Sequence, residues 1–282
     1  MEYQTLNNGL KMPMVGFGVF RVPDKKECEE SVYQAIKAGY RLIDTAQSYG
    51  NEKAVGRAIQ ETNVPREELF ITSKLWLQDY GYENAKKGIE TSMKLLGVDY
   101  IDLYLLHQPY GDYLGAWKAL EEAYQAGKIK SIGISNITVN LWNKFKDGMT
   151  VMPAVNQVEF NPFVQQKELR KVMAENNIRL EAWYPLGHGN KDLLENETIV
   201  SLAKKYNKNA GQIILRWIYQ EGVISLPKST NEERMKGNID IFDFELTDEE
   251  MKAMQALDTN KPSHNPEDPA NETRLMGLKI HD

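Results

Sequence analysis

Residues 40–52 read YRLIDTAQSYGNE, an apolar run that ends abruptly in Asp44 and is followed five residues later by Tyr49. Two further apolar runs end in the same way, one at Lys74 and one at His107. Buried strands favour β-branched and aromatic residues, so an ionisable group at the end of such a run is costly unless it has a partner. If the three runs are neighbouring strands of one parallel sheet, an acid, a phenol, an ammonium and an imidazole meet at one end of it. We interpret that meeting point as an active site.

Strand-like and helix-like segments alternate along the chain from residue 40 onward. Strand-like runs are expected near residues 40–44, 69–73, 101–106, 129–134, 154–158, 178–183 and 223–227. Helical patterns lie between them, near residues 51–62, 83–97, 115–127, 138–146, 166–177 and 198–221. With a glycine-bearing strand at residues 15–20, the chain has eight strand–helix units in a length typical of a (β/α)₈ TIM barrel. The predicted fold class is therefore α/β.

The rest of the chain fits one such barrel. An Asn-Gly pair at residues 8–9, between apolar residues, predicts an N-terminal β-hairpin before the repeating units. No linker rich in Pro, Gly or Ser divides the chain, so we expect residues 1–282 to form a single domain. Active-site loops are expected at the C-terminal face of the barrel, where its strands end. The polar, turn-rich tail beyond Asp258 is expected to be a loop over one face.

Composition argues against several classes of protein. The formal net charge of -6 disfavours a nucleic-acid or anionic-membrane partner. No apolar run approaches the roughly 20 residues needed to span a bilayer, and the N-terminus lacks the pattern of a secretory signal. Cys28 is the only cysteine, so no intrachain disulfide can form and a cytoplasmic location is expected. No metal site is expected, since the four histidines lack the spacing of metal ligands: His107, His188, His264 and His281.

The four ionisable groups at the predicted strand ends suit proton transfer to an oxygen. The phenol of Tyr49 has an ordinary pKa of ~10, which a neighbouring ammonium would lower, and a carboxylate would hold that ammonium in place. His107 could donate a hydrogen bond that orients a substrate oxygen. Other interpretations remain open at this point, because Asp44 and Lys74 could form a structural ion pair and His107 could be a histidine at the edge of the core. The residues alone predict a barrel enzyme that transfers protons.

Three sequence blocks resemble the aldo-keto reductase superfamily. Residues 39–46, GYRLIDTA, followed by YGNE at 49–52, are similar to its first signature. Residues 103–109, LYLLHQP, together with GISN at 133–136 resemble the second signature, and LPKS at 226–229 resembles the third. The resemblance runs from about residue 5 to residue 258. It is closest to the bacterial branch that includes 2,5-diketo-D-gluconate reductases and broad aldehyde reductases.

The resemblance implies hydride transfer from a reduced nicotinamide to an aldehyde or ketone. Tyr49 matches the general acid of that family, Lys74 and Asp44 match the pair that tunes it, and His107 matches the residue that orients the carbonyl. The family also implies that the protein is a monomer whose partner is a small-molecule carbonyl substrate. Phe20 and Trp76, with His107, are the expected substrate-facing residues.

The cofactor expected from the resemblance is NADPH. Positions that match those holding the nicotinamide carboxamide are Ser135, Asn136 and Gln157, and Trp183 matches the aromatic residue that stacks on the ring. Basic and hydroxyl side chains gather after the last predicted strand, at a loop-to-helix junction that suits a phosphate. By resemblance, this junction holds the 2′-phosphate and the adenine of the cofactor through Lys228, Ser229, Arg234 and Asn238.

Two alternatives accompany the reductase hypothesis. The first is a regulatory subunit that keeps the barrel and binds the cofactor with little turnover, as potassium-channel β subunits of this superfamily do. The second is an unrelated barrel lyase or isomerase that uses Tyr49 and Lys74 without a nicotinamide. The presence of all four matched catalytic residues favours the NADPH-dependent reductase, and an absence of dinucleotide binding would favour the lyase.

Overall fold

The computed structural model describes residues 2–281 and shows eight parallel strands, each paired with the next along the chain. They are β3 (Phe17–Gly18), β4 (Leu42–Asp44), β5 (Phe70–Leu75), β6 (Leu103–Leu106), β7 (Ile132–Ser135), β8 (Val155–Glu159), β9 (Arg179–Trp183) and β10 (Ile224–Ser225). A parallel bridge between Val15 and Ser225 joins the first strand to the last. The backbone N–H of Gly16 also donates to the carbonyl of Ser225 at 2.8 Å. The predicted barrel is therefore confirmed.

Twelve α-helices lie within residues 2–281. They are α1 (Lys25–Lys37), α2 (Glu52–Glu61), α3 (Tyr82–Leu96), α4 (Tyr113–Gln125), α5 (Val139–Phe145), α6 (Lys167–Glu175), α7 (Lys191–Leu194), α8 (Glu197–Tyr206), α9 (Ala210–Gln220), α10 (Glu232–Ile239), α11 (Asp248–Gln255) and α12 (Pro269–Met276). Each long helix buries one apolar face, as α1 does with Val32, Ala35 and Ile36 at helical spacing. In this part of the chain, no helix is long and apolar enough to cross a membrane.

A short antiparallel hairpin closes the amino end of the barrel. It consists of β1 (Tyr3–Thr5) and β2 (Lys11–Pro13), and its turn has Gly9 at a φ of 86°, a backbone conformation that suits glycine. Met12 of the hairpin packs in one cluster with residues at the beginnings of barrel strands, among them Leu42 and Phe70. The predicted hairpin is confirmed. Because it fills one end with apolar groups, only the carboxyl end is left for polar chemistry.

Two expectations about the helices are wrong. The helix expected over residues 198–221 is two helices, since Asn207 takes a left-handed backbone with a φ of 52° and ends α8. Asn209 then opens α9 with a reciprocal capping box to Gln212. The tail beyond Asp258 is also more than a loop, because α12 forms there with Asp268 as its N-cap and proline in its first turn.

One glycine allows two outer helices to pack closely. Gly56 of α2 faces the carboxyl end of α3, where a Cβ atom on it would lie 2.3 Å from the carbonyl oxygen of Leu96. Only the absence of a side chain permits this approach of the two backbones. The close fit holds α2 against α3, and α2 directly follows the loop that carries Tyr49.

Candidate active site

A buried ion pair lies at the carboxyl end of the barrel. Asp44 is the last residue of β4, and Lys74 lies one residue before the end of β5. Lys74 Nζ donates to Asp44 Oδ1 at 2.6 Å and to the backbone carbonyl of Thr45 at 2.9 Å. Its side chain is fully buried and that of Asp44 is 5% exposed. Burying an ammonium is costly without such partners, and Asp44 and the Thr45 carbonyl offset part of that cost.

Tyr49 completes the group from the loop after β4. A single 3₁₀ turn over Gln47–Tyr49 ends at Gly50, whose positive φ of 66° suits glycine and directs the chain into α2. This turn places the Tyr49 hydroxyl 3.3 Å from Lys74 Nζ, which donates to it. The Tyr49 ring packs at centroid distances of 5.1 Å from Phe20 and 5.7 Å from His107.

Burial and charge oppose each other in setting the pKa of Tyr49. Burial raises the pKa of the phenol, Lys74 lowers it and Asp44 raises it, with a net rise above the ordinary value. The Lys74 ammonium does lower the pKa of Tyr49, as expected, but the expected net decrease is wrong because burial and Asp44 outweigh it. Burial alone would lower the pKa of Lys74, but Asp44 and Tyr49 outweigh it and the net pKa is raised. At neutral pH the site thus holds a protonated phenol beside an ammonium.

His107 follows β6 and faces the same opening. Burial, with a smaller contribution from the Lys74 charge, holds the pKa of His107 well below its usual range, so its imidazole is neutral at physiological pH. Ser48 Oγ lies 3.3 Å from His107 Nδ1. If the serine hydroxyl donates, Nδ1 accepts and the proton sits on Nε2, which can then donate to a substrate oxygen. Such donation is the role expected for His107.

Residues expected to hold the nicotinamide lie beside the ion pair. Asn136 has a left-handed backbone with a φ of 58°, and its Nδ2 donates to the carbonyl of His107 at 3.3 Å. Its Oδ1 accepts from Trp183 Nε1 at 2.9 Å, which fixes the orientation of the half-buried indole. The hydroxyl of Ser135 donates to the backbone carbonyl of Gln157 at 2.9 Å. Ser135, Asn136 and Trp183 lie at the ends of β7 and β9, and Gln157 lies in the middle of β8. Together these four side chains form one polar ledge with a flat aromatic at its edge.

The residues expected at the adenosine end gather around the start of α10. Arg234 Nε donates to Ser229 Oγ at 3.3 Å, and Asn238 is buried on the same helix. Lys228 is exposed in the loop before the helix. The first turn of α10 also carries two carboxylates, which both pair with Lys236. The arrangement therefore leaves two cations of the loop and helix, those of Lys228 and Arg234, facing solvent.

The two aromatic residues expected at the substrate differ in exposure. Phe20 is 43% exposed at the barrel mouth, next to Tyr49. Trp76 is 3% exposed, because the C-terminal tail covers it and its Nε1 donates to the carbonyl of Leu278 at 2.9 Å. Its ring nonetheless contacts His107 edge-on at a centroid distance of 5.2 Å. Trp76 thus separates the tail from the predicted reaction centre.

The sequence profile of the aldo/keto reductase family matches residues 14–259. This chain belongs to that family. The glyoxal reductase of Bacillus subtilis (strain 168) is 49% identical to it over 257 residues, which cover 91% of this chain and 92% of the relative. MGS-M4, an aldo-keto reductase from a Medee basin deep-sea metagenome library, superposes with a TM-score of 0.90 at 44% identity, covering 93% of this chain and 97% of its own. A Gox0644 variant solved in complex with NADPH has a TM-score of 0.89 at 37% identity, and the match covers 94% of this chain and 97% of its own.

These comparisons confirm the predicted family, the barrel fold and the oxidoreductase class. The roles of individual side chains stay predictions, which rest on the geometry described above. Among residues 2–281, no cluster of three or more His, Cys, Asp or Glu side chains is arranged to hold a metal ion.

Two polar residues of this aldo/keto reductase were not predicted as part of the site. Gln47 Oε1 accepts from the backbone N–H of Trp76 at 2.7 Å, which ties the tyrosine-bearing loop to the end of β5. Glu181, in the middle of β9, is fully buried in the barrel interior. A signal for it existed, since a glutamate interrupts an apolar strand between Leu180 and Ala182. Side chains alternate between the two faces of a strand, and in a closed barrel the face that carries Glu181 is the interior one.

Proposed function

We propose that this aldo/keto reductase is an NADPH-dependent reductase of small aldehydes and ketones. The observation that carries the proposal is the position of Lys74 Nζ, which donates to both Asp44 and Tyr49 beside a neutral His107. A buried phenol with an ammonium behind it and an uncharged imidazole beside it suits protonation of an oxygen on which negative charge develops.

The residues on the polar ledge fit a nicotinamide. Gln157 Nε2 donates to the carboxyl groups of Asp44 and Glu181, while its Oε1 makes no hydrogen bond within residues 2–281 and can accept from the amide group of a carboxamide. Trp183 is held by Asn136 with a half-buried ring that could cover one face of the nicotinamide. At the other end, Arg234 and Lys228 suit a phosphate monoester. The NADPH-bound structure of the Gox0644 variant supports this choice of cofactor.

In the proposed reaction, NADPH supplies a hydride to the carbonyl carbon. His107 Nε2–H donates to the carbonyl oxygen and orients it. Tyr49 then gives its hydroxyl proton to that oxygen, and the phenolate that remains is stabilised by Lys74 at 3.3 Å. Asp44 holds the ammonium in place and keeps it charged. The burial of this group excludes water, which strengthens each of these interactions.

The proposed substrates are small because aromatic side chains flank the mouth of the barrel. Phe20 lies over Tyr49 on one side, and Trp76 lies beside His107 on the other. The similarity to a glyoxal reductase supports small dicarbonyl compounds as first candidates. A pocket with aromatic walls and few polar groups would also accept simple aromatic aldehydes.

The test is NADPH oxidation, followed by absorbance, with a panel that includes glyoxal, methylglyoxal and benzaldehyde. Tyr49→Phe should lower kcat by about 10²–10⁴-fold, the usual contribution of general acid–base catalysis. The matched control is Tyr124→Phe, a partly buried tyrosine of α4 outside the site, which should leave kcat unchanged. Lys74→Met should abolish turnover and leave NADPH binding, measured by fluorescence titration, largely intact.

Full activity in Tyr49→Phe would remove the tyrosine from the proposed role. NADPH binding without turnover of any substrate in the panel would favour the regulatory subunit instead. A parent protein that binds no dinucleotide would contradict the cofactor assignment.

A further inference from the structure

Glu181 is a buried carboxyl group that the proposed reaction does not use. It lies in the middle of β9, with Gln157 of β8 and Ile224 of β10 as its neighbours in register. The residue has no exposed surface. Its Oε2 accepts from Gln157 Nε2 at 2.7 Å, whereas Oε1 has no hydrogen-bond partner in the described part of the chain. A carboxylate buried with one oxygen unpartnered is costly, whereas a neutral carboxylic acid there costs much less.

The charged and titratable groups that act on Glu181 come from the ion pair. They are Asp44 of β4 and Lys74 of β5, together with the phenol of Tyr49, which Glu181 influences in turn. Burial and the nearby Asp44 raise the pKa of Glu181 to about 8, while Gln157 and Lys74 act in the opposite direction. The single ammonium is already engaged by Asp44 at 2.6 Å, so it does not neutralise a second carboxylate as well.

Gln157 links the two carboxyl groups. Its Nε2 donates one hydrogen to Asp44 Oδ2 at 2.9 Å and the other to Glu181 Oε2 at 2.7 Å. Asp44, paired with the Lys74 ammonium, can only accept, so an amide rotated by 180° would place its oxygen against that carboxylate. The observed orientation is therefore preferred, and Glu181 Oε2 accepts as the carbonyl oxygen of the acid. The orientation leaves Oε1 as the free acceptor, which is the atom that the nicotinamide carboxamide needs under the proposed function.

We propose that Glu181 is a positioning residue that acts in its protonated, neutral form. It locks the amide of Gln157 so that Oε1 faces the carboxamide of the cofactor, and while it is neutral it adds no second negative charge beside Asp44 and Tyr49. When Glu181 ionises, a second negative charge opposes formation of the Tyr49 phenolate. The proton donor then becomes weaker, and carbonyl reduction slows. The proposal rests on the proposed function for its catalytic part, whereas the protonation state rests on the burial and hydrogen bonding of Glu181 itself.

The first test measures the protonation state without turnover. Infrared difference spectra of the protein without cofactor, parent minus Glu181→Gln, should show the carbonyl stretch of a protonated carboxylic acid at pH 7, and this band should be lost by about pH 10. Glu181→Met, which keeps the volume without a titrating group, provides a second assignment of the band should the glutamine variant fold poorly. A band already absent at pH 6 would overturn the proposal.

The second test uses NADPH binding to determine whether Glu181 fixes the orientation of the Gln157 amide. Glu181→Met removes the acceptor for Gln157 Nε2, so the Kd for NADPH should rise about threefold to tenfold, the usual worth of one neutral hydrogen bond. The Kd for 2′-phospho-ADP-ribose, which lacks the nicotinamide, should stay the same. Equal weakening for both ligands would indicate a general structural effect and overturn the positioning role.

The third test is the pH profile of kcat/KM for the best aldehyde of the panel. The parent should lose activity about threefold to tenfold between pH 7 and pH 9, and Glu181→Gln should stay flat over that range, because its side chain cannot ionise. Glu121→Gln is the matched control. Glu121 is a buried glutamate of α4 that accepts from the backbone N–H groups of Thr150 and Val151, outside the barrel, so the profile of this variant should follow the parent.

The outcomes separate the two proposals. If no carbonyl compound is reduced, the proposed function fails while the infrared band and the binding comparison still decide the role of Glu181. If the parent and Glu181→Gln have the same alkaline loss, a different group causes it and the catalytic part of the inference is overturned.

Discussion

The protonated state of Glu181 should also be visible in the pH dependence of folding. A carboxyl group with an ordinary pKa of 4.5 and a folded-state pKa of about 8 is neutral in both states at low pH. As the pH rises above 4.5, the unfolded chain releases this proton and the folded protein retains it, so folding becomes less favourable. The loss amounts to about 1.4 kcal/mol per pH unit until the folded group itself ionises near pH 8. By pH 7.5, the cumulative destabilisation is about 4 kcal/mol.

Glu181→Gln removes that dependence, because glutamine does not titrate in either state. The variant also buries an amide N–H₂ where Oε1 has no partner, which costs about 1–3 kcal/mol at every pH. The informative quantity is therefore the slope of the stability difference against pH, and not the constant difference between the two proteins. In urea unfolding at a series of pH values, the stability of the variant relative to the parent should rise by about 1.4 kcal/mol per unit between pH 5 and pH 7.5. Parallel curves for the two proteins would show that Glu181 is ionised in the folded state and would refute the reasoning.

Three other changes have defined expectations. Arg234→Ala should weaken NADPH binding by about 10–100-fold, the worth of a charged hydrogen bond, with little effect on NADH; equal losses in a binding titration would remove the 2′-phosphate role. Gly56→Ala should destabilise the fold by about 1–3 kcal/mol in urea unfolding, because its Cβ would lie 2.3 Å from the carbonyl oxygen of Leu96; an unchanged midpoint would contradict that close packing. Ending the chain at Gly277 removes the acceptor of Trp76 Nε1 and uncovers the indole ring, so tryptophan fluorescence should shift to the red. The KM for aldehydes should rise several-fold, while the Kd for NADPH stays constant. An unshifted spectrum would argue against the tail contact.

The barrel could be predicted from sequence because its signals are local and repeated. Each apolar run ending in a polar group marks one strand, and eight units in this length leave few alternatives. Helix boundaries were harder to predict from the sequence where a single residue sets them. Asn207 interrupts a continuous apolar stripe by taking a left-handed backbone, a choice that depends on how α8 and α9 pack. The tail helix at Pro269–Met276 has a cap and a proline at its start, but its buried face is small, with Leu275 as its buried residue.

The site was partly predictable for a related physical reason. Asp44, Lys74 and His107 each end an apolar run, so their positions could be inferred without knowing the packing inside the barrel. Glu181 lies mid-strand, and only the closure of the sheet turns its face inward. The shift in the pKa of Tyr49 could not be predicted from the sequence either. Its direction depends on whether burial outweighs the effect of the Lys74 ammonium, and burial is a property of the assembled barrel.

The number of charges inside the barrel connects these points. One ammonium, that of Lys74, serves Asp44, Tyr49 and Glu181, and its pKa is raised by all three. It can balance only one full negative charge at a time. With Glu181 protonated, that charge is on Asp44 in the resting state, and the ammonium is still close enough to Tyr49 to stabilise a phenolate during proton transfer. With Glu181 ionised, the same transfer would place three negative groups around one cation in a site that excludes water. The buried acid is therefore tolerated because it is neutral, and its neutrality is what leaves the phenol able to give up its proton.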